Sequence, residues 1–248
     1  MLRTLFAVCF ANISLFTPVL AAELSIAVAA NFAGPLQAIT EAFEADSGHQ
    51  ITVSPGSSGR LYAQIINGAP YDIFFSADQE KPQLLIEAGL ADPESRVTYA
   101  EGSLVLWSYS EDIEPLDALR NIAIENLAIA NPRLAPYGQA AMEVLLKFEI
   151  SDEYESRLVL GENINQVFQF VTTGNADAGF IALSQLSSSE ELPKGRGWIV
   201  PPNLHEPIRQ DAVIIRSSKN SGVAEDFMSF MQSNAGKEMI SRFGYKAD

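Results

Sequence analysis

Two patterns of apolar and polar positions alternate along the first third of the chain. Short apolar runs are followed by longer stretches in which apolar residues recur every three or four positions, the spacing of an amphipathic helix. Glycine ends each helical stretch. The predicted elements are strand 24–29, helix 32–47, strand 51–54, a short helix through Leu61 and Ile65, strand 72–77 and helix 79–88. Three consecutive βα units predict a lobe built on a buried parallel sheet.

The same alternation begins again after residue 102 and predicts a second lobe. Its predicted elements are strand 103–108, strand 127–130, helix 139–148, helix 163–173 and strand 178–183. A returning strand at 212–215 and helices 222–233 and 235–243 lead the chain back to the first lobe.

This order predicts an α/β fold of the two-lobed clamp type. Each lobe is expected to be a mostly parallel sheet flanked by helices, with two hinge crossings between the lobes. Lobe 1 comprises residues 23–103 plus 211–248, and lobe 2 comprises residues 104–210. A chain that leaves one lobe and later returns to it forms a ligand cleft between the two.

Residues 1–22 differ from the rest of the chain and predict a secretory signal peptide. Arg3 is the only charged residue there, an apolar run follows it, and small residues allow cleavage after Ala21 or Ala22. An uncleaved membrane anchor is the alternative, although the run is short for a membrane span. The only cysteine, Cys9, lies too early for a lipoprotein anchor. The mature chain is therefore expected to be periplasmic and free of disulfides.

The balance of charge narrows the choice of partners. With 31 acidic and 16 basic residues, the chain carries a formal net charge of −15. Such a surface repels nucleic acid and anionic lipid, so neither is expected as a partner. An anionic ligand would need a local, shielded site rather than a broad positive patch. The composition is that of an ordinary globular protein, which we expect to be a monomer.

Two strand-to-helix junctions in the first lobe have the composition of an anion site. Strand 24–29 runs into Ala30-Asn31, and strand 51–54 runs into Gly56-Ser-Ser-Gly59. The first residues of a helix, here called a helix start, leave N–H groups unpaired and carry a partial positive charge. Two helix starts beside each other would form a cup for an oxyanion without lysine or arginine. A flexible turn is the alternative for the glycine-serine segment.

The second lobe has two comparable junctions. Segment 131–138 follows a predicted strand, and Tyr137 could present its N–H to the cleft. A rigid connector, with Pro136 setting the helix start, is the alternative. The segment Glu162-Asn-Ile-Asn165 precedes a predicted helix, and an ordinary helix cap is the alternative there. Four junctions, two in each lobe, favour an anion site over four unrelated turns.

Few residues indicate catalysis. Each of the two histidines, His49 and His205, lacks a second histidine or a cysteine nearby in the sequence, so a zinc site is not expected. The chain has no Gly-x-Ser-x-Gly motif. Arg60, Arg133 and Arg209 could line a cleft and bind a carboxylate ligand, but the sequence does not place them. The protein is therefore not expected to be an enzyme.

Five segments, in this order along the chain, carry a family resemblance. They are VAANF (28–32), SPGSSG (54–59), YAQIINGAPYDIFFSAD (62–78), NPRLAPYG (131–138) and FGY (243–245). With them, the mature chain resembles the periplasmic molybdate-binding proteins that serve ABC importers. The resemblance implies the type II periplasmic binding protein fold. It also implies a tetrahedral oxyanion held by neutral N–H and O–H donors, with no cofactor.

Carried over by this resemblance, the ligand-binding residues are Ala30, Asn31, Ser58, Tyr137 and Ile164. Ala30 and Ile164 could act only through the backbone N–H. Asn31, Ser58 and Tyr137 would be hydrogen-bond donors to the oxyanion, not direct ligands of its metal atom. Some family members place a tyrosine hydroxyl where this chain has Ala182. Whether Tyr137 compensates with its hydroxyl, or offers only its N–H, stays open.

The implied function is capture of molybdate, and of tungstate, between the lobes and delivery to the membrane permease of an ABC importer. Two rival classes remain. One is a receptor of the same fold for sulfate, phosphate or a small carboxylate, which an arginine or a protonatable acid in the cleft would favour. The other is an extracytoplasmic phosphoesterase, which turnover abolished by Ser58→Ala would favour.

Overall fold

The computed structural model describes residues 22–187 and 194–246, which contain two five-stranded sheets. The strands of the first sheet are β1 (Glu23–Ala29), β2 (Gln50–Gly56), β3 (Ile73–Phe75), β4 (Val97–Gly102) and β10 (Ile208–Ile214). The strands of the second sheet are β5 (Leu104–Ser108), β6 (Leu127–Ala130), β7 (Leu158–Gly161), β8 (Ala178–Ala182) and β9 (Arg196–Ile199).

Helices cover both sheets. The α-helices are α1 (Ala33–Ser47), α2 (Ser58–Ile66), α3 (Glu80–Glu87), α4 (Pro115–Arg120), α5 (Pro136–Lys147), α6 (Ser151–Tyr154), α7 (Ile164–Thr172), α8 (Leu183–Ser187), α9 (Ser221–Gln232) and α10 (Asn234–Arg242). Short 3-10 helices lie at Ala30–Phe32, Pro93–Ser95 and Glu155–Arg157. The first of these leads directly into α1.

The first sheet has the strand order β2-β1-β3-β10-β4. β1 pairs in parallel with β2 and β3, whereas β10 runs antiparallel to β3 and β4. The register sets Ala29, the last residue of β1, opposite Gly56, the last residue of β2. The helices that follow these two strands therefore start side by side at one edge of the sheet.

The second sheet repeats this arrangement with the order β7-β6-β8-β5-β9. β6 pairs in parallel with β7 and β8, and β5 runs antiparallel to β8 and β9. The register sets Ala130, the last residue of β6, opposite Gly161, the last residue of β7. The segments that leave these ends lead to α5 and α7, so two more helix starts lie at one edge.

Apolar side chains on both faces of the first sheet hold its helices. Ile26 and Val28 belong to a buried cluster that contains Phe32 and other residues of the α1 side. Ala27 and Phe74 belong to a separate cluster on the α2 and α3 side. Alternate residues of a strand point to opposite faces, so helices can cover a parallel sheet on both sides.

The core of the second sheet also includes Ala29, Ala30 and Ala77 of the first lobe, so the two lobes are in apolar contact.

The chain crosses between the sheets twice, and the two crossings adjoin. It passes from the first sheet to the second between Gly102 and Leu104, and it returns between Ile199 and Ile208. β4 and β10 pair beside the crossings, with Ile208 opposite Gly102. The two-lobed α/β fold predicted from the sequence is confirmed by this architecture and by the family comparison given below. The exact division into 23–103 plus 211–248 and 104–210 stays a prediction.

Sequence patterns do not predict strands β4 and β9, and for β7 they indicate only the end of a strand before Glu162. β7 and β9 have four residues each and lie at the edges of the second sheet, where Leu160 and Ile199 are exposed. Edge strands this short show neither a long apolar run nor a clear alternation. The start of α5 also differs from the prediction of 139–148, because Pro136 occupies its first turn.

The predicted signal peptide lies outside the described residues, apart from Ala22, so its cleavage stays a prediction. Within residues 22–187 and 194–246, no helix has the length and apolar character needed to cross a membrane.

We expect Gly138→Ala to lower the free energy of unfolding by about 3 kcal/mol, because the added methyl group would overpack the contact between α5 and β6 and shift the backbone. A Cβ at Gly138 would overlap the carbonyl oxygen of Ala130, which ends β6. Gly222→Ala is the matched control, since no atom lies within 4 Å of its Cβ position in α9. Urea unfolding should show the control unchanged or up to about 1 kcal/mol more stable. Equal effects of the two variants would contradict this account of the α5 position.

Candidate anion-binding site

A pocket between the lobes lies where four helix starts meet. The ends of β1 and β2 and the starts of α2, α5 and α7 line this small space. The five residues assigned by resemblance all line it: Ala30, Asn31, Ser58, Tyr137 and Ile164. All five are at most 5% exposed. Residues separated by up to 134 positions in the sequence are thus brought together around one small space.

The first helix start is the 3-10 helix Ala30–Phe32. Ala33 donates its N–H to the carbonyl of Ala30, which closes the first turn. The N–H groups of Ala30 and Asn31 come before the first hydrogen bond of this turn, so no carbonyl of the helix accepts from them. Both residues line the pocket, so these two N–H groups are available to an anion.

The second helix start, at α2, supplies an N–H and a hydroxyl from one residue. The N–H of Gly59 is already used, since it donates across the cleft to the carbonyl of Leu134 at 2.9 Å. Ser58 Oγ accepts a hydrogen bond from the N–H of Ala77 at 2.9 Å. Its own hydroxyl hydrogen and backbone N–H therefore remain for the pocket.

The third helix start, at α5, leaves a single N–H. Pro136 occupies the first position and has no N–H to offer. The N–H groups of Gly138 and Gln139 donate to the carbonyl of Ala135 at 3.0 and 3.1 Å. The N–H of Tyr137 is therefore the one that remains for a ligand.

The fourth helix start, at α7, also leaves a single N–H. The side chain of Asn163 caps the helix and accepts from the N–H groups of Asn165 and Gln166 at 3.0 and 3.2 Å. Ile164 comes first in the helix, ahead of these capped groups, and lines the pocket. Its N–H is the one available to an anion.

Among the residues that the structure describes, none that lines the pocket is charged. An ion pair lies in the adjoining outer pocket, where Arg60 of lobe 1 and Glu162 of lobe 2 approach to 2.7 Å with side chains 58% and 66% exposed. An ion pair this exposed contributes little to stability. Arg133 is exposed, and Arg209 pairs with Glu101 at 3.7 Å. In the described part of the chain, no group of three or more His, Cys, Asp or Glu residues could hold a metal ion.

A buried polar network lies behind the pocket and occupies the Asn31 and Tyr137 side chains. Asn31 Nδ2 donates to Gln210 Oε1 at 2.8 Å and to Tyr245 Oη at 2.9 Å. Gln210 Nε2 donates to Tyr137 Oη at 3.5 Å, and Tyr99 Oη lies 3.0 Å from Gln210 Oε1. The hydrogens of the Asn31 amide are thus used within the network. Asn31 and Tyr137 are left with their backbone N–H groups as the donors that face the pocket.

The same network joins the two lobes. Ser184, in α8 of lobe 2, donates its hydroxyl to the carbonyl of Asn31 in lobe 1 at 2.8 Å. Tyr245 Oη lies 3.0 Å from Ser184 Oγ. Burial raises the pKa of Tyr99 and Tyr137 well above the usual value, and it raises the pKa of Tyr245 as well. The tyrosine hydroxyls therefore stay protonated, and the network stays neutral.

Comparison with known proteins identifies the family. The family model described as bacterial extracellular solute-binding protein matches residues 24–246. This chain belongs to that family. As a solute-binding protein it is similar to proteins named as binding proteins rather than enzymes, which confirms the expectation of a non-enzyme.

Two relatives and one solved structure match this solute-binding protein over nearly its whole length. It is 44% identical to the molybdate-binding protein ModA of Azotobacter vinelandii over 91% of this chain and 90% of that one. It is 40% identical to the molybdate-binding protein ModA of Rhodobacter capsulatus over 92% of this chain and 90% of that one. The structure of the Azotobacter vinelandii periplasmic molybdate-binding protein matches with a TM-score of 0.86 at 39% identity, covering 91% of this chain and 99% of that one. The predicted family resemblance is confirmed.

Sequence reasoning misses the residues behind the pocket. Gln210 lies between Arg209 and Asp211 in β10, and Ser184 is a polar residue just after the apolar strand β8, so no pattern marks either of them. Tyr245 falls within the FGY segment that carries the family resemblance, which is the one available signal. Ala182 does not line the pocket, and its N–H donates to Gln185 Oε1. This network of hydrogen bonds can therefore be recognised only in the folded structure.

We expect Tyr245→Phe to lower the free energy of unfolding by about 1–2 kcal/mol, because its hydroxyl bonds both to Asn31 and to Ser184 of the other lobe. Tyr71→Phe is the matched control, since its hydroxyl bonds only to Gln64 within the same lobe at 3.1 Å. Denaturant unfolding should show a change within about 0.5 kcal/mol for the control. A Tyr245→Phe protein as stable as the control would rule out a stabilising role for this hydroxyl.

Proposed function

We propose that this solute-binding protein captures molybdate in the pocket between its lobes and presents it to the membrane permease of an ABC importer. The relatives named as molybdate-binding proteins support the ligand. The pocket supports the mode of binding, because its donors are the neutral N–H groups of Ala30, Asn31, Ser58, Tyr137 and Ile164 and the hydroxyl of Ser58. That set of donors, converging on a pocket with no charged lining residue, is the observation that carries the proposal.

The chemistry of the lining favours a fully deprotonated tetrahedral anion. Molybdate, tungstate and sulfate carry no proton near neutral pH, whereas phosphate keeps one or two and needs an acceptor for each. No carboxylate lines the pocket, which disfavours phosphate. No arginine lines it either, which disfavours an amino acid or another small carboxylate, since these ligands are usually bound by a bidentate arginine. Selection of molybdate and tungstate over sulfate would then rest on the size of the pocket.

Closure around the anion would complete the site, since lobe 1 supplies Ala30, Asn31 and Ser58 while lobe 2 supplies Tyr137 and Ile164. A ligand that contacts both lobes favours the closed state by its difference in affinity for the two states. The permease would recognise this closed form. The same proposal places the mature protein in the periplasm as a monomer, after removal of a signal peptide that ends at Ala21 or Ala22.

A thermal-shift panel on the mature protein tests the ligand. At about 100 times its dissociation constant, a ligand adds roughly 2.7 kcal/mol of stability. For a chain of this size we expect Tm to rise by several degrees with molybdate and with tungstate, and not with sulfate, phosphate or nitrate. A rise in Tm with sulfate or phosphate alone would be consistent with the fold but would contradict molybdate as the ligand. No rise with any oxyanion would overturn the proposed function.

A second experiment tests the site. We expect Ser58→Ala to weaken molybdate binding by about 1.5–3 kcal/mol, because an anion buried without a counter-charge loses a hydroxyl donor. Ser241→Ala is the matched control, since Ser241 Oγ bonds only to the carbonyl of Lys237 on an exposed helix face. Isothermal titration calorimetry should detect the difference. Equal molybdate affinity in the two variants would exclude the Ser58 hydroxyl as a donor to the ligand.

A further inference from the structure

We propose that Ser57 is a further donor to the bound oxyanion, through its side-chain hydroxyl. The proposal rests on the proposed function and adds a contact that the family resemblance does not assign. Ser57 directly precedes Ser58, so the two hydroxyls would act as a pair at the start of α2.

The first observation is that Ser57 occupies a capping position without capping. It is the N-cap residue of α2, yet its side chain makes no cap hydrogen bond. By contrast, the side chains of Asn163 and Ser233 cap α7 and α10. A serine at this position ordinarily accepts from the second or third N–H of the helix. At α2 the second N–H, that of Gly59, donates instead to Leu134 across the cleft.

The second observation is that this hydroxyl is buried and unpaired. Ser57 is 4% exposed. Across residues 22–187 and 194–246, Ser57 Oγ and Asp78 Oδ2 are the two buried side-chain polar atoms without a hydrogen-bond partner. Asp78 Oδ2 lies 3.4 Å from the ammonium group of Lys81, which compensates it. Ser57 Oγ has no such compensation, and an unpaired buried polar atom in a native protein needs an explanation.

The third observation is where the residue lies. Ser57 lines the central pocket, as do Asn163 and Ile164 of lobe 2. It also lines the adjoining outer pocket, beside the ion pair of Arg60 and Glu162. Ser57 therefore stands between the bound anion and the outer part of the cleft, on the side where lobe 1 faces lobe 2.

An oxyanion oxygen is the partner that fits this hydroxyl best. The other donors are mostly backbone N–H groups, whose directions are fixed by their helices. A serine hydroxyl rotates about its side-chain bond, so it can follow an oxygen whose position the rigid donors do not match. A hydroxyl that donates to a charged acceptor also forms a stronger hydrogen bond than one that donates to water. The hydroxyl would thus remain unpaired until the ligand arrives.

Ser57→Ala tests the inference by calorimetric titration with molybdate on the full mature chain. We expect the Kd to rise roughly ten- to hundredfold, as for a lost bond to a charged group. The Tm of the ligand-free protein should stay unchanged or rise, because an unpaired buried hydroxyl is removed. A purely structural role would produce the opposite pattern, with a lower ligand-free Tm and an unchanged Kd, and would overturn the inference.

Ser233→Ala is the matched control, because it removes a serine at a cap position that does bond, to the N–H of Gly236, far from the pocket. It should lower Tm and leave the Kd unchanged. If Ser57→Ala does not fold, Ser57→Gly removes the same hydroxyl at a position where glycine is tolerated.

The outcomes separate the two proposals. If the wild type binds molybdate and Ser58→Ala weakens it, but the Ser57 variant binds within about twofold of wild type, the hydroxyl pairs with water and this inference fails alone. If the wild type binds no oxyanion, the proposed function fails and this inference fails with it.

Discussion

An anion buried without a counter-charge must have nearly every oxygen hydrogen-bonded, because an unpaired buried charge is far costlier than an unpaired neutral group. The arrangement of both lobes follows from this requirement. Parallel pairing brings the ends of β1 and β2 together, and those of β6 and β7, so that helix starts converge from both sides. Capping then removes the surplus donors. Pro136 has no N–H group, the Asn163 side chain accepts from two N–H groups of α7, and the N–H of Gly59 donates to the opposite lobe.

Asn31 combines two tasks, since it lines the pocket and also joins the two lobes. Its N–H faces the pocket, while its carbonyl accepts the hydroxyl of Ser184 from the other lobe. Its side chain is held by Gln210 and Tyr245. A residue that would contact the anion is thus also one of the residues that hold the two lobes together. Because the bonds of this network are buried, their loss on opening would leave polar groups to be rehydrated.

The fold could largely be predicted from the sequence, because long apolar runs and helix-ending glycines mark the central strands and the long helices. The edge strands β7 and β9 could not, since four half-exposed residues leave no periodic signal. The helix starts were visible as polar and small residues after apolar runs. The unpaired hydroxyl of Ser57 and the bonds of Gln210 were not, because hydrogen-bond partners distant in sequence are fixed only by folding.

The neutral character of the pocket has a consequence for the conditions under which the protein works. Of the described residues in the lining, Tyr137 alone has an ionisable side chain, and burial holds its pKa well above the usual value. No lining group therefore gains or loses a proton in mildly acidic or mildly alkaline surroundings. The affinity would vary with acidity only as the anion itself does. A receptor built in this way suits a compartment whose acidity follows the external medium, since it needs no buffering by the cell to hold its ligand.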